Sequence, residues 1–262
     1  MGSLLLFALL VALVVYVQIS IFPEINERTE VKGQANALES MKGIKIALED
    51  VASQNRTQSV TYQNRITYIP QPAGPGAQLG QINMKNVSNP QISNLATSPS
   101  FVNGDGSFGS GRDTKILVYK PQFVELSEDR EVVYENTVVA EKSPNQNDYV
   151  STTSQDIISG TTINIIILTT NPEGPNGIQG SQPTITATPV NSGSATVTGS
   201  SGNNIELEFT SKYRQDKWSE LLEPEENNGI VISVSKSGDR ITVELDGSRT
   251  YNLKYSEVRV ES

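Results

Sequence analysis

MGSLLLFALLVALVVYVQISIFPEINERTEVKGQANALESMKGIKIALEDVASQ, residues 1–54, decides how the rest of the chain must be read. Its first twenty-two residues carry no charge, and from residue 4 to residue 17 every side chain is apolar or aromatic. A helix rises 1.5 Å per residue, so residues 3–22 span about 30 Å, the thickness of a bilayer's hydrocarbon core. Eleven of the residues between 4 and 17 are Leu, Phe or Val. At roughly −0.3 to −0.6 kcal/mol each on an insertion scale, they sum to roughly −3 to −7 kcal/mol and outweigh Gln18 and Ser20. The segment Leu4, Leu5, Leu6, Phe7, Ala8, Leu9, Leu10, Val11, Ala12, Leu13, Val14, Val15 and Val17 is therefore expected to sit in a membrane or in the core of an assembly. Ala8 and Ala12, four apart, offer a small-residue face for close helix approach. A removable signal peptide fits poorly: no Lys or Arg precedes Arg28, and Gln18-Ile19-Ser20 is a poor cleavage triplet.

The helical pattern continues to about residue 54. Val31, Leu38, Met41, Ile44, Leu48 and Val51 recur at spacings of three, four and seven and predict one apolar stripe. Glu24–Arg28, Glu39–Lys42 and Lys45–Glu49 have the spacing of ion pairs and are expected on the exposed face. Pro23 removes one helical hydrogen bond and predicts a kink where the rod leaves the apolar phase. One helix of about fifty residues results, apolar all round and then striped.

Composition narrows the chemistry. The chain has 262 residues, 36% of them apolar, and a formal net charge of −9. No basic stripe exists to meet phosphates, so nucleic acid is not an expected partner. Cysteine and histidine are both absent. That removes disulfides, thiol nucleophiles, the usual triads, and the commonest general base and metal ligand. Neither a cofactor nor an enzymatic activity is expected; a carboxylate-pair hydrolase is the one enzyme class left standing.

After residue 54 the period shifts from 3.6 to 2. Strands are predicted at 59–62, 65–69, 81–84, 91–95, 115–119, 131–134, 137–140, 184–188, 195–198 and 205–209, with 163–168 as a central strand buried on both faces. Pro/Gly turns fall at 70–76 and 171–177, and the Asn103-Gly104-Asp105-Gly106 tip reads as an exposed turn with too few ligands for calcium. A short helix is expected from Thr210 or Ser211 as N-cap to about Glu223, before Pro224, with Tyr213, Trp218, Leu221 and Leu222 as its core side. A meander of 230–235, 241–245 and 251–255 closes the series, with Asp246-Gly247 as a hairpin turn. The fold class is α+β, mainly β: a long N-terminal hydrophobic-to-amphipathic helix, then antiparallel β-sandwich-like domains with one short helix. The expected divisions are 1–54, 55–178 and 179–262, with the short helix near 211–223. Two N-glycosylation sequons begin at Asn55 and Asn86, and Asn86 is the better candidate because it is expected in a loop.

An apolar N-terminus, Pro23, an amphipathic second half and a β region together resemble archaeal type IV pilin-like proteins. Ser59-Val60-Thr61, Val132-Val133-Tyr134-Glu135-Asn136 and Lys217-Trp218-Ser219-Glu220-Leu221-Leu222 resemble more closely a group of uncharacterised membrane-anchored archaeal surface proteins. Leu5 stands where bacterial pilins carry Glu if Met1 is the first mature residue, a departure that archaeal pilins share. The resemblance implies a filament subunit on the cell surface. It would be membrane-anchored before assembly and bound to copies of itself through its N-terminal helix, with a β region that can carry N-glycans. A monomeric membrane-anchored adhesion or binding protein of the cell envelope is the alternative.

Overall fold

The computed structural model describes residues 2–62, 65–66, 78–123, 126, 130–142, 149–171, 177–178, 183–211 and 215–261. The turn expected at 70–76, residues 172–176 of the turn expected at 171–177, the strand residues 67–69, and Tyr213 lie outside them. The chain is α+β and mainly β: α1 (Gly2–Tyr16), a π-helical turn (Val17–Ile21) and α2 (Phe22–Gln54) form one continuous rod, followed by strands and one short helix. In chain order the strands are β1 (Gln58–Thr61), β2 (Arg65–Ile66), β3 (Gln78–Leu79), β4 (Gln81–Val87), β5 (Gln91–Ser93), β6 (Thr114–Lys120), β7 (Val132–Glu135), β8 (Val138–Lys142), β9 (Tyr149–Ser151), β10 (Ile158–Ser159), β11 (Thr162–Thr169), β12 (Gly177–Ile178), β13 (Thr184–Thr198) and β14 (Ile205–Thr210). Helix α3 (Gln215–Asn227) then precedes β15 (Val231–Ser237), β16 (Arg240–Leu245) and β17 (Thr250–Glu261).

A central sheet of order β1-β13-β17-β11-β10 divides the interior in two. Its period-two alternation sends Ile163, Ile165 and Ile167 of β11 to one core, and Ile166 and Leu168 to the other. Strand β17 does the same, with Tyr251, Leu253 and Tyr255 on one side and Val258 and Val260 on the other. Residues 163–168 thus meet a core on both faces, as their strongly apolar run, broken only by Asn164, suggests. The outer core lies under a sheet of order β15-β16-β14-β5 and helix α3. The inner core surrounds α2, which packs on β1, β13 and β17 and also on β7 and β8 of a third sheet, order β12-β4-β6-β7-β8-β9. Strands from both sides of residue 178 share the central and outer sheets.

Several expectations are corrected. Strand β17 leaves the expected meander: β15 and β16 form the hairpin, but β17 pairs antiparallel with β13 and parallel with β11. The Asp246-Gly247 segment is a corner between sheets, since Asp246 Oδ1 accepts the Ser248 N–H at 3.0 Å and its hydroxyl at 2.6 Å. Gly247 there lies so close to Asn203 that a Cβ would stand 1.7 Å from its carbonyl oxygen. Residues 184–198 form one long strand, with Pro189 placed at a bulge where its missing donor is tolerated. Helix α3 starts at Gln215 and runs through Pro224 to Asn227; Thr210 belongs to β14. Pro224 and Glu220 are both exposed, so the carbonyl that the proline leaves unbonded faces water. The stop comes at Gly229, φ 64°, where Ile230 N–H bonds Glu225 O and Gly229 N–H bonds Glu226 O, a Schellman cap. Trp218 is core, its ring edge-on to Phe209 and its Nε1–H on Ser211 Oγ at 2.7 Å.

Candidate functional site: the bare helix and its anchorage

Helix α1 has no buried residue. Leu4, Leu5, Leu6, Phe7, Ala8, Leu9, Leu10, Val11, Ala12, Leu13, Val14 and Val15 are all exposed, Leu4 at 76%, and Val17 is half-buried in the π turn. The rod from Gly2 to Gln54 contains a stretch apolar and long enough to cross a membrane. Each bare Leu, Val or Phe forgoes roughly 1.5–3 kcal/mol of burial while it stays in water. A segment this apolar needs lipid or protein around it.

Where the apolar segment ends, Phe22 N–H bonds Val17 O, five residues back, and the φ/ψ of Tyr16, Ile21 and Phe22 stay helical. Pro23 then enters in the first turn of α2 without an N–H to place. The wider turn relieves the clash a proline ring makes with the carbonyl four residues before it. The discontinuity that Pro23 announces is thus a π turn.

Helix α2 then docks through a face that changes character along its length. Its upper part buries Asn26, Glu30 and Gln34, with the Leu126 N–H donating to Glu30 Oε2 at 2.7 Å and Gln34 Nε2 donating to Glu141 at 2.8 Å. Its lower part buries Ala37, Met41, Ile44, Leu48 and Val51 among strand residues. Leu38 packs at the margin of this core. Val31, expected on that stripe, is instead 49% exposed. It lies about 100° round the rod from Glu30, whose side is covered through polar groups. The outward face carries Val31, between the Glu24–Arg28 and Glu39–Lys42 pairs, and Ile46 beyond them; each pair is a charge-neutral couple, at 2.7 and 2.8 Å.

The Lys45–Glu49 pair faces inward, contrary to expectation. The Lys45 side chain is 8% exposed and donates to Glu49 Oε1 at 2.5 Å and to Asp156 Oδ2. Burial would lower the Lys45 pKa, but its bonds to Asp156 and Glu49 raise it above the ordinary lysine value. Burial pushes the Glu49 carboxyl up to about 7, against the pull of Lys45. Asp156 is fixed from behind: its N–H donates to Thr137 Oγ1 at 2.8 Å, and its carbonyl accepts Asn164 Nδ2 at 2.9 Å. Thr137 itself stands at φ 65°, beside Asn136 at φ 47°, in the β7–β8 turn. A β-branched residue in the left-handed region is strained by about 1–3 kcal/mol. Glu49 and Asp156 border a cleft of about 560 Å³ at the foot of α2, which Asp50, Ser192, Ser194 and Lys254 also line. Sequence spacing identified Lys45–Glu49 as a pair; the position of Lys45 next to Ile44 on the buried arc was the signal that it faces inward.

The two sequons take different positions. Asn55 is exposed and caps α2 in the left-handed conformation, φ 54°. Asn86 is exposed too, but in strand β4 and not in a loop, its Oδ1 bonded by Lys115 Nζ. The 103–106 tip is a plain turn, with Asp105 Oδ1 taken by Ser107 N–H at 3.0 Å and its hydroxyl at 2.7 Å. Among the described residues no group of acidic side chains is arranged to hold a metal ion. Comparison with known proteins finds no matching family model, no similar curated protein and no similar solved structure.

Proposed function

We propose that the protein is a structural subunit of an archaeal surface filament of the type IV pilin-like kind. The observation that carries this reading is the division of one rod: α1 is bare on every side, whereas α2 is sunk between two sheets. A rod held rigidly at one end presents its other end in a fixed direction, which repeated lateral packing requires. Before assembly α1 rests in the membrane; on assembly one apolar surrounding replaces another, and close packing supplies the gain. Ala8 and Ala12 give the near approach. The β region forms the coat, and the exposed Asn55 and Asn86 are the glycan acceptors.

Imaging of surface material from the source cells, and negative stain of purified chain after detergent withdrawal, test the proposal. Helical filaments whose density accepts this chain, lost in a Leu10→Asp variant, support it. Discrete particles of detergent-bound monomer refute it in favour of a membrane-anchored adhesion module.

A further inference from the structure

We infer that Lys45 and Asp156 are the partners of an intramolecular isopeptide bond, Nζ of the lysine joined to Cγ of the aspartate, with Glu49 as the proton carrier. The amine is brought against its target by two independent constraints. Lys45 rises from the buried arc of α2, and Asp156 is pinned by Thr137 and Asn164. Glu49, one helical turn below, bonds the same Nζ. The other titratable groups nearby are Asp50 and Lys254, which line the same cleft, and the buried Tyr134. The lysine is deeply covered: the Lys45 side chain is 8% exposed, against 30%, 45% and 33% for Lys42, Lys120 and Lys217 in their ion pairs, while the Asp156 side chain, which lines the cleft, is 46% exposed.

The step balances without a co-reactant. A proton first passes from Lys45 to Asp156, leaving a neutral amine and a neutral acid; the bonds to Asp156 and Glu49 hold the lysine charged, so this neutral pair is a minor species and its formation sets the pace. Nζ then attacks Cγ, forming the N–C bond as the carbonyl π electrons move to oxygen. Glu49 takes the surplus N–H proton and returns it to the departing hydroxyl. The C–O bond breaks, and one water leaves through the adjoining cleft. A carboxyl poised to exchange a proton near neutral pH suits that shuttle, and its pKa of about 7 agrees. The product ties helix to β region across 111 residues of sequence in a chain without cysteine.

Mass spectrometry of the full-length chain in detergent decides the matter. The expected result is a chain lighter than its sequence by one water, with a branched tryptic peptide joining the segments around Lys45 and Asp156 and no cleavage after Lys45. Lys45→Ala and Asp156→Ala should restore the sequence mass, and Glu49→Gln should restore it while keeping the wild-type circular dichroism. A folded wild-type chain at its sequence mass, or one that lost water without the branched peptide, overturns the bond. A Glu49→Gln chain that still carries the branch overturns the role of Glu49.

Discussion

Replacing Leu48 by Ala measures how firmly the rod is held. Leu48 is fully buried within the inner core, in the company of Met41, Tyr134 and Val258. Burying a leucine contributes about 1.5–3 kcal/mol, and the cavity left between two sheets and a helix adds to the loss, for about 2–5 kcal/mol in all. For a β region of this size each kcal/mol moves the melting temperature by about 2–4 °C, so a 3 kcal/mol loss lowers it by about 6–12 °C. The control sits two residues away. Ile46 is 59% exposed, about 200° round the helix, and Ile46→Ala should cost no more than about 0.5 kcal/mol. The assay is thermal unfolding of the whole chain in mild detergent, followed by the fluorescence of Trp218, the only tryptophan. That residue lies in the outer core, so it reports whether losing the helix contact unfolds the entire β region. Equal melting points for Leu48→Ala and wild type, or equal losses for both variants, would refute the docking argument.

Three further outcomes are expected. Gly109→Ala places a Cβ 1.7 Å from the Tyr255 hydroxyl at φ 59°, so it should displace Tyr255 from its stack with Phe108, lower stability by about 1–3 kcal/mol and change the near-ultraviolet dichroism of the tyrosines. Trp218→Phe removes the donor to Ser211, whose hydroxyl also bonds buried Glu135; a loss of about 1–3 kcal/mol in denaturant titration is expected. The Glu49 carboxyl is raised from 4.5 to about 7, so the native state holds a proton that the unfolded chain has already released. Its contribution is therefore greatest below about pH 4.5, falls as pH rises towards 7 and is level above that. Denaturation midpoints across this window should show the slope in wild type and its absence in Glu49→Gln.

The rod, most strands and the mainly β class could be read from periodicity because the chain alternates where a sheet has one face in a core and the other in water. The run at 163–168 was legible for the opposite reason, as its strand separates two cores. What hydrophobic pattern could not show is burial by polar groups. Glu30 and Gln34 are buried with the Leu126 N–H and Glu141 as hydrogen-bond partners, a tertiary fact with no apolar period. The same logic placed Val31 inward and Lys45 outward, each the reverse of the structure. Residues 246–247 have a hairpin signature, yet Asn203 and Ser248 make them a corner. Pro224 stopped the helix on paper, whereas only the Gly229 cap does so in the fold.

Strand β17 lies between β13 and β11 in the central sheet, and its Ser256 hydroxyl reaches back to the Ala52 carbonyl of α2 at 3.0 Å. It is also the last of the described strands to be synthesised, whereas the rod it clasps comes first. Every pairing that completes the middle layer waits for it, a long-range closure that is slow by nature. The apolar rod therefore exists in the growing chain long before the sheet that grips it is complete. Only a chain translated through residue 261 can finish gripping its own stem.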